Sequence, residues 1–544
     1  MMKRKTLLSV VALSATATLP FTASASTFAE QDSLKTHRLE EVQVTATRAS
    51  ARTPMSFSNL SKAQLQKANL GLDVPYLLLQ TPSVVATSEP GIGIGYTYLR
   101  VRGVDAAGIN IMTNGVPLND SESQGVFWAN MPNFSSSIQD AQLQRGVGTS
   151  SNGSAAFGAS LNLRTDHFSM TPTATLSLLG GAYNTFRREV HASTGRIAEH
   201  WALEARLGKT TTDGYIDRSG TEGTSYFLQG GYFGENTILK LLSFGGKQRT
   251  GIAWNGLSAT EEATYGRRYN SAGHMNPKST PADARYRYNT DNYEQNHLQA
   301  QLTQRLSEGL VLNLTAHYTQ GYGFTDEYRT GRKLKEYGLK EFILRDADGQ
   351  AILDKYGKEQ KVKKITLLRT KYLDNDFYGG IATLEYKAHR LELTTGLSAN
   401  HYVGDHYGER TPITPYPYQV EPNERYYEDR AHKTDLSGFT KATFEVARGL
   451  NLFADLQYRF IDYRIKGSID HFTGGKQQQM DLKKTFSFFN PKAGLFYQFA
   501  PQHHVYGSVA VAHREPNRKH YTEVSEAQYP RAERLTDYEL GYGF

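Results

Sequence analysis

Two runs decide how this chain is read: LRVRGVDAAGINIMTNGVPLND (Leu99–Asp120) and IQDAQLQRGVGTSSNGSAAFGASLNLRT (Ile138–Thr165). Within them short β-rich segments, Leu99–Val101, Ile109–Met112, Ala141–Gln144 and Ser160–Leu163, alternate with glycine turns. That alternation predicts a compact mixed α/β domain. The chain before it reads as an address and a handle, and the chain after it as a wall of strands.

The ordered set Arg102-Gly103, Asn114-Gly115-Val116-Pro117-Leu118, Ile138, Arg145-Gly146, Gly153, Ala156, Gly158, Asn162 and Leu163 resembles the plug domain of TonB-dependent outer-membrane receptors. Two positions depart from that pattern: Asn114 stands where Asp is usual, and Ala159 where a second Gly is common. Asn forms turns as readily as Asp, and Ala is the smallest replacement for Gly, so both departures are mild. The resemblance implies a membrane all-β fold: an antiparallel transmembrane β-barrel enclosing a small mixed α/β plug.

Upstream, Met1–Ala25 reads as a signal peptide. Lys3-Arg4-Lys5 form its charged start, Leu7–Phe21 its apolar core and Ala23-Ser24-Ala25 its cleavage site. No later run is apolar and long enough for a spanning helix, which leaves a soluble protein or a barrel. The tail, 26–50, ends in LEEVQVTATRAS (Leu39–Ser50), whose alternating β-prone residues suit addition to the edge of a partner's sheet. The resemblance implies that Val42, Gln43, Val44, Thr45 and Ala46 are the TonB box, gripped by TonB and its proton-driven inner-membrane complex. The short tail leaves no room for a signalling domain or an extra β-sandwich, so signal transduction and glycan import are not expected.

In the plug, 51–165, short helices are expected over Ser61–Leu70 and Asp73–Gln80, capped by Ser61 and Asp73 and stopped by Pro82. EPGIGIGYTY (Glu89–Tyr98) and NDSESQGVFW (Asn119–Trp128) are expected at the outward-facing apices. Tyr96, Glu122, Gln124 and Trp128 are therefore candidate ligand contacts, against the plainer reading of structural loops with one packing tryptophan. Arg100, Arg102, Arg145 and Arg164 lie in the expected strands or at their ends. The resemblance implies that arginines at the matching Arg-Gly positions pair with acids on the wall. Such pairs can hold a plug yet remain separable.

From Thr173 onward the pattern changes to period two. Leu310, Leu312, Leu314, Ala316 and Tyr318 alternate with Val311, Asn313, Thr315 and His317, and Leu450–Phe460 and Trp201–Leu207 do the same. This is the dyad of apolar-out, polar-in strands of roughly 10 residues, and about 14 such segments follow to the end of the chain. Connections after even-numbered strands are tight, near Arg196–His200, Gly234–Asn236, Ser307–Gly309, Ala388–His389, Ala447–Gly449 and Ala500–His503. Those after odd-numbered strands read mostly as long: Lys209–Thr224, Lys247–Gln295, Gly321–Asn375, Val403–Thr434, Lys466–Thr485 and Arg514–Thr536. Short periplasmic turns opposite long extracellular loops are the outer-membrane arrangement. The barrel therefore occupies 166–544.

Composition agrees with a barrel. Mean hydropathy is −0.53, with 34 Tyr, 25 Phe and 49 Gly, as expected where lumenal polar residues dilute a lipid-facing belt edged with tyrosine. No cysteine is present, which excludes disulfides, thiolate metal sites and a cysteine nucleophile. The net charge of +7 falls to +4 once Lys3, Arg4 and Lys5 leave with the signal peptide. With no nucleic-acid motif beside it, that excess does not argue for nucleic acid. No nucleophile elbow, His-Glu-x-x-His or phosphate loop occurs, so no enzyme is expected, and no cofactor or resident metal.

His401 with His406, and His513 with His520, are candidate ligand or haem contacts, though lone loop histidines are usually neither. RDADGQAI (Arg345–Ile352) superficially suggests a calcium loop but lacks the closing Glu, which favours a hairpin turn. Gly331–Lys371 carries 12 Lys/Arg against 6 Asp/Glu and could attract anionic headgroups or substrates, or be plainly solvated.

AHREPNRKHYTEV (Ala512–Val524) and AERLTDYELGY (Ala532–Tyr542) resemble two family segments that lie well before the C-terminus, with His513 and Glu515 replacing the usual Phe and Ala. A plugged transporter barrel has about 22 strands, so the expectation is a sequence truncated at its C-terminal end. The function expected from resemblance and topology is TonB-coupled import of a scarce nutrient of the siderophore, haem or cobalamin class. Its partners would be TonB, outer-membrane lipid and lipopolysaccharide, and the ligand. A passive channel, an adhesin or a non-functional fragment is the alternative.

Overall fold

The computed structural model describes residues 47–544 apart from 154–155, 276–284, 422 and 474–475. The signal peptide and Val42–Ala46 lie outside the described residues. The plug runs through β1 (Phe57–Leu60), α1 (Lys62–Ala68), α2 (Val74–Leu77), β2 (Val84–Ser88), β3 (Thr97–Val101), β4 (Ile109–Thr113), β5 (Val116–Pro117), β6 (Ile138–Arg145) and β7 (Ala159–Thr165). β1, β6, β7, β4 and β5 form one sheet in that order, with β4 and β7 parallel, and β2 pairs with β3 in a separate hairpin. Leu99, Ile109, Ile111, Leu143, Leu161 and Leu163 are almost fully buried in its core.

Local chemistry explains most of these boundaries. Ser61 caps α1 through a reciprocal capping box with Gln64. Asn114 and Gly115 both have positive φ, 55° and 85°, between the paired residues Thr113 and Val116. That is the two-residue hairpin turn for which Asn-Gly is suited. The second helix is shorter than expected, ending at Leu77, and Asp73 does not cap it with its side chain. Its carboxylate instead accepts from the Gly95 amide at 3.0 Å and the Thr97 hydroxyl at 3.1 Å, tying α2 to β3.

The wall comprises β8 (Thr173–Gly181), β9 (Thr185–Ile197), β10 (Trp201–Thr212), β11 (Thr221–Phe233), β12 (Thr237–Gly251), β13 (Thr290–Ser307) and β14 (Leu310–Lys333), with α3 (Ala259–Tyr265) between β12 and β13. A small hairpin, β15 (Phe342–Ile343) and β16 (Lys361–Val362), then precedes β17 (Lys364–Lys387), β18 (Leu391–Pro412), β19 (Arg425–Ala447), β20 (Leu450–Thr473) and β21 (Lys476–Ala500). β22 (His503–Arg514), α4 (Lys519–Thr522) and β23 (Glu533–Gly543) follow. β8–β14 and β17–β23 make a 14-stranded antiparallel sheet whose edges are β8 and β23.

Side chains alternate across this sheet as the dyad requires. On β20, Asp455, Gln457 and Arg459 are buried toward the lumen, while Leu456 and Tyr458 are about half exposed on the outer face. Leu176, Leu178, Leu203, Leu207, Leu241 and Leu397 are each more than half exposed on that face. A continuous apolar belt of this kind is stable against lipid and not against water.

The tight turns fall where expected, but the strands are longer than the dyad suggests. β14 and β17–β21 run to 22–25 residues each. The segments read as loops 403–434 and 466–485 are mostly strand, and β20 and β21 are separated by two residues only. The connection of β8 to β9 is also short. The apolar dyad marks only the membrane-embedded part of a strand. Above it, pairing continues between polar residues, as in the double bond of Arg430 to Asp405 at 2.5 and 2.6 Å.

Candidate functional site

The plug loop Asn119–Gly125 carries Glu122 into the wall. Its turn is set locally: the Asp120 carboxylate accepts from the Glu122 and Ser123 amides at 3.2 and 2.7 Å, and Gln124 takes a positive φ of 63°. Asn119 ties the loop back to β4, accepting from the Ile111 amide at 2.7 Å and donating to the Ile109 carbonyl at 2.9 Å. Glu122 is only 2% exposed.

Four wall groups surround its carboxylate. Tyr463 and Tyr402 donate at 2.6 and 3.2 Å, Arg518 donates at 3.0 Å, and the His406 Nε2 lies 2.6 Å away. Burial would push this carboxyl up, but the Arg518 guanidinium and the His406 ring hold it well below the usual range. Arg518 bonds Asp429 at 2.6 Å with its other arm, and its amide donates to the Glu122 carbonyl at 2.9 Å.

A second buried centre adjoins the first. Glu515 accepts from Lys433 at 2.7 Å and from Arg459 at 2.9 Å, and Arg459 also forks onto Asp435. Opposed to burial, Arg459 and Lys433 draw the Glu515 carboxyl down to about 2. Both centres grip the plug directly: Lys433 donates to the Ser121 carbonyl at 2.6 Å, and Gln124 to the Glu515 carbonyl at 2.9 Å. Above them Tyr463, Ile465, Leu482, Phe488 and Tyr521 form an apolar cluster, so the loop carrying Glu515, Arg518 and Tyr521 covers the apex. A second such cluster, of Leu334, Tyr337, Leu367 and Tyr427, joins the segment after β14 to β17 and β19. The arrangement holds the plug apex beneath the loop that carries Glu515, Arg518 and Tyr521.

The sequence candidates are distributed differently from expectation. Glu122, Gln124 and His406 meet in this centre. Trp128 does not: it is 2% exposed in the plug core, as the plainer reading had it. Tyr96 donates its phenol to Asp291 of β13 and packs edge-on to Trp254. His401 has the opposite parity from His406 on β18 and lies on the outer face, bonded to Thr434 at 2.9 Å. His513 stacks on Phe488 and bonds Asn490 at 2.9 Å, while His520 accepts from the Asn517 amide. Asp346 accepts from the Asp348 and Gln350 amides at 3.0 and 2.8 Å, so Arg345–Ile352 is a hairpin turn.

Of the four arginines, Arg102 alone pairs with a wall acid among the described residues, meeting Glu539 at 2.5 Å. Its side chain is 37% exposed, so screening leaves that pair about 1 kcal/mol or less. Arg100 is exposed. Arg145 is turned inside the plug, donating to Ser56 at 3.0 Å, Ser58 at 2.7 Å and the Pro82 carbonyl at 3.1 Å. Arg164 forks onto Asp140 of the adjacent plug strand. The stronger ties are those the motif reading missed, on wall residues with inward parity: Tyr402, Lys433, Arg459 and Tyr463, with Glu515 and Arg518 from the covering loop.

Two family models match the chain: the TonB-dependent receptor plug domain over residues 49–160, and the TonB-dependent receptor-like β-barrel over 236–544. Among solved structures, the ferric yersiniabactin uptake receptor FyuA of Yersinia pestis superposes with a TM-score of 0.65 at 13% identity, covering 92% of this chain and 71% of its own. The ferric-catecholate import receptor Fiu of E. coli K12, open form, gives 0.61 at 15% identity, covering 86% and 70%. The siderophore receptor PiuA of Acinetobacter baumannii gives 0.62 at 13% identity, covering 92% and 71%. At these identities the likeness is one of fold. No curated protein sequence matches the chain.

Proposed function

The chain belongs to the TonB-dependent receptor family, and from that premise we propose that it imports a ferric chelate of the siderophore class across the outer membrane. The observation that carries this reading is the plug apex, held by the buried Glu122–Arg518 and Glu515–Lys433–Arg459 centres beneath the loop that carries Glu515, Arg518 and Tyr521. A plug held by buried ion pairs is not displaced by thermal motion alone, so moving it would require work. TonB, gripping Val42–Ala46, would supply it from the inner-membrane proton gradient. The apolar belt would meet outer-membrane lipid and lipopolysaccharide, and the ligand would pass with its bonds unchanged.

The siderophore class is favoured because FyuA, Fiu and PiuA, whose fold this chain shares, are receptors for ferric chelates or siderophores. His401 faces outward from the lumen, and His513 is held by Asn490, so the two do not meet around one ligand. The test is labelled-iron uptake, with receptor abundance followed under iron limitation and under cobalamin limitation. Uptake and induction under iron limitation are expected. Induction by cobalamin limitation alone would move the ligand to the corrinoid class, and no response to either would contradict nutrient import.

A further inference from the structure

The covering loop is held by two side chains of opposite charge and by two of its own peptide groups. At one end the Glu515 carboxylate accepts from Lys433 at 2.7 Å and from both arms of Arg459 at 2.9 and 3.2 Å. At the other, the Arg518 guanidinium bridges Glu122 at 3.0 Å and Asp429 at 2.6 Å. The backbone between them is gripped as well. Gln124 donates to the Glu515 carbonyl at 2.9 Å, and the Glu122 carbonyl accepts from the Arg518 amide at 2.9 Å. A carboxylate, a guanidinium, a carbonyl and an amide, each met by its complement, are what a peptide-binding site provides.

Buried charge is a poor device for keeping a loop shut. Apolar residues of similar volume would hold it as well or better, because two desolvated ions recover little net energy from each other. Unaided opening, in contrast, strands ions in the interior. Glu122 and Asp429 lose Arg518, while Lys433 keeps only the Ser121 carbonyl and Arg459 only Asp435. A ligand bringing the same two charges removes that cost, since each buried ion exchanges one partner for another. Such a site stays covered alone and opens to a matched ligand.

The site also has room beyond the loop's own groups. The second Asp429 oxygen is buried without a hydrogen-bond partner among the described residues. A cavity of about 100 Å³ adjoins the other end, lined in part by Lys433, Arg459, Glu515, Asp120 and Gln124. The wall fixes the two ends relative to each other: Asp429 and Lys433 are four residues apart on β19, about 13 Å of extended strand. Glu515 stands where the resembling family segment has Ala, so the acid belongs to this chain and not to the general pattern.

We propose that Glu515–Arg518 is a tethered stand-in for the ligand, and that the ligand is a zwitterionic chelate built on a peptide. Its oxyanion replaces Glu515 on Lys433 and Arg459, and its cationic group replaces Arg518 on Glu122 and Asp429. Binding thereby displaces the covering loop by exchange of ion pairs. This rests on the uptake reading above and narrows it to ferric chelates that carry both charges.

The loop's own sequence supplies the probe: a blocked, fluorescent peptide of residues 513–519, HREPNRK. It is titrated onto the full chain in detergent and onto Glu515→Gln/Arg518→Gln, which leaves Lys433, Arg459, Glu122 and Asp429 untouched. Saturable binding is expected, at least about tenfold tighter to the variant, whose tethered competitor is weakened. A peptide with Gln in place of Glu515 and Arg518 should bind at least about tenfold more weakly. A second readout needs no weakened loop. Pro516 is buried and the chain has no cysteine, so Pro516→Cys reports release of the segment. Excess charged peptide is expected to raise its labelling by a methanethiosulfonate reagent about tenfold, and the neutral peptide to leave it unchanged. Equal binding of the two peptides, equal affinity for the two chains, or labelling that the charged peptide does not change overturns the proposal. Labelled-iron uptake separates it from the broader reading. Peptidic ferric chelates with both charges should be taken up and should displace the probe. Uptake confined to chelates lacking either charge would overturn the stand-in and leave import standing. Probe binding without uptake of any ferric chelate would overturn import and leave the site.

Discussion

Cells expressing the chain without Val42–Ala46 are expected to bind ligand as before and to lose its uptake, by at least about a hundredfold. The size follows from how the plug is held. Its apex is fixed by Glu122 and Arg518 at 3.0 Å and by Lys433 on the Ser121 carbonyl at 2.6 Å. Its base is fixed by Ser150 on Asp455 at 2.8 Å. Breaking several buried charged contacts together costs about 3–5 kcal/mol for each uncompensated charge, far beyond thermal energy. A partner that adds a strand to Val42–Ala46 would supply force at Thr47–Ala49, which Gln144, Asp140 and Gln142 hold in the plug, and without that handle nothing loads those contacts. The deletion leaves the candidate ligand contacts Glu122, Gln124 and His406 in place, so binding is expected to persist. Uptake that survived the deletion would show a passive channel.

The second large effect is expected at the apex. Glu122→Ala leaves Arg518, His406 and two tyrosines buried around a vacancy, with Arg518 keeping only Asp429. A loss of about 3 kcal/mol follows, roughly a hundredfold in the population with the covering loop displaced. Trypsin cleavage between Arg518 and Lys519, in the covering loop, reads that population when reclosing is fast. Glu122→Gln, which keeps acceptors for the tyrosines but loses the charge, should fall between the two.

The same lock has a defined pH response. Because the folded Glu122 carboxyl lies below its ordinary 4.5 and Glu515 lies at about 2, their contribution is complete above the ordinary carboxylate range. It fades only as pH falls from there toward 2. Protection of the covering loop should therefore be flat from neutrality to about pH 5 and collapse in stronger acid. Loss of protection near neutrality would contradict the assignment of Glu122 and Glu515 as the holding groups.

Much of this was legible beforehand, for identifiable reasons. Asn114-Gly115 and the Ser61 cap are short-range devices whose geometry depends on nothing distant, and they appear as read, Gln64 adding a reciprocal bond that was not. The period-two segments gave the strand count because one face meets lipid. The extensions of β18–β21 were not legible, since polar paired strands and polar loops share a composition. Glu122 and His406 were singled out separately, but their meeting depends on a register spanning 284 residues of sequence. Parity was the usable signal: His401 and His406 differ by five positions and so must face opposite sides of β18. Glu515, which with His513 departs from the family pattern around Arg514, proved to be the partner of Lys433 and Arg459. The arginines misled because charge alone does not distinguish a partner inside the plug, as for Arg145 and Arg164, from one on the wall.

The most direct measurement uses the absence of native thiols. Val44→Cys, in the full chain in outer membranes, is tested for disulfide formation with a cysteine introduced in TonB, with and without ferric ligand. The account predicts a cross-link that ligand strengthens, on a chain that still transports iron. No cross-link in either condition, with transport intact, would show that this segment is not the handle and that the plug is not moved by TonB.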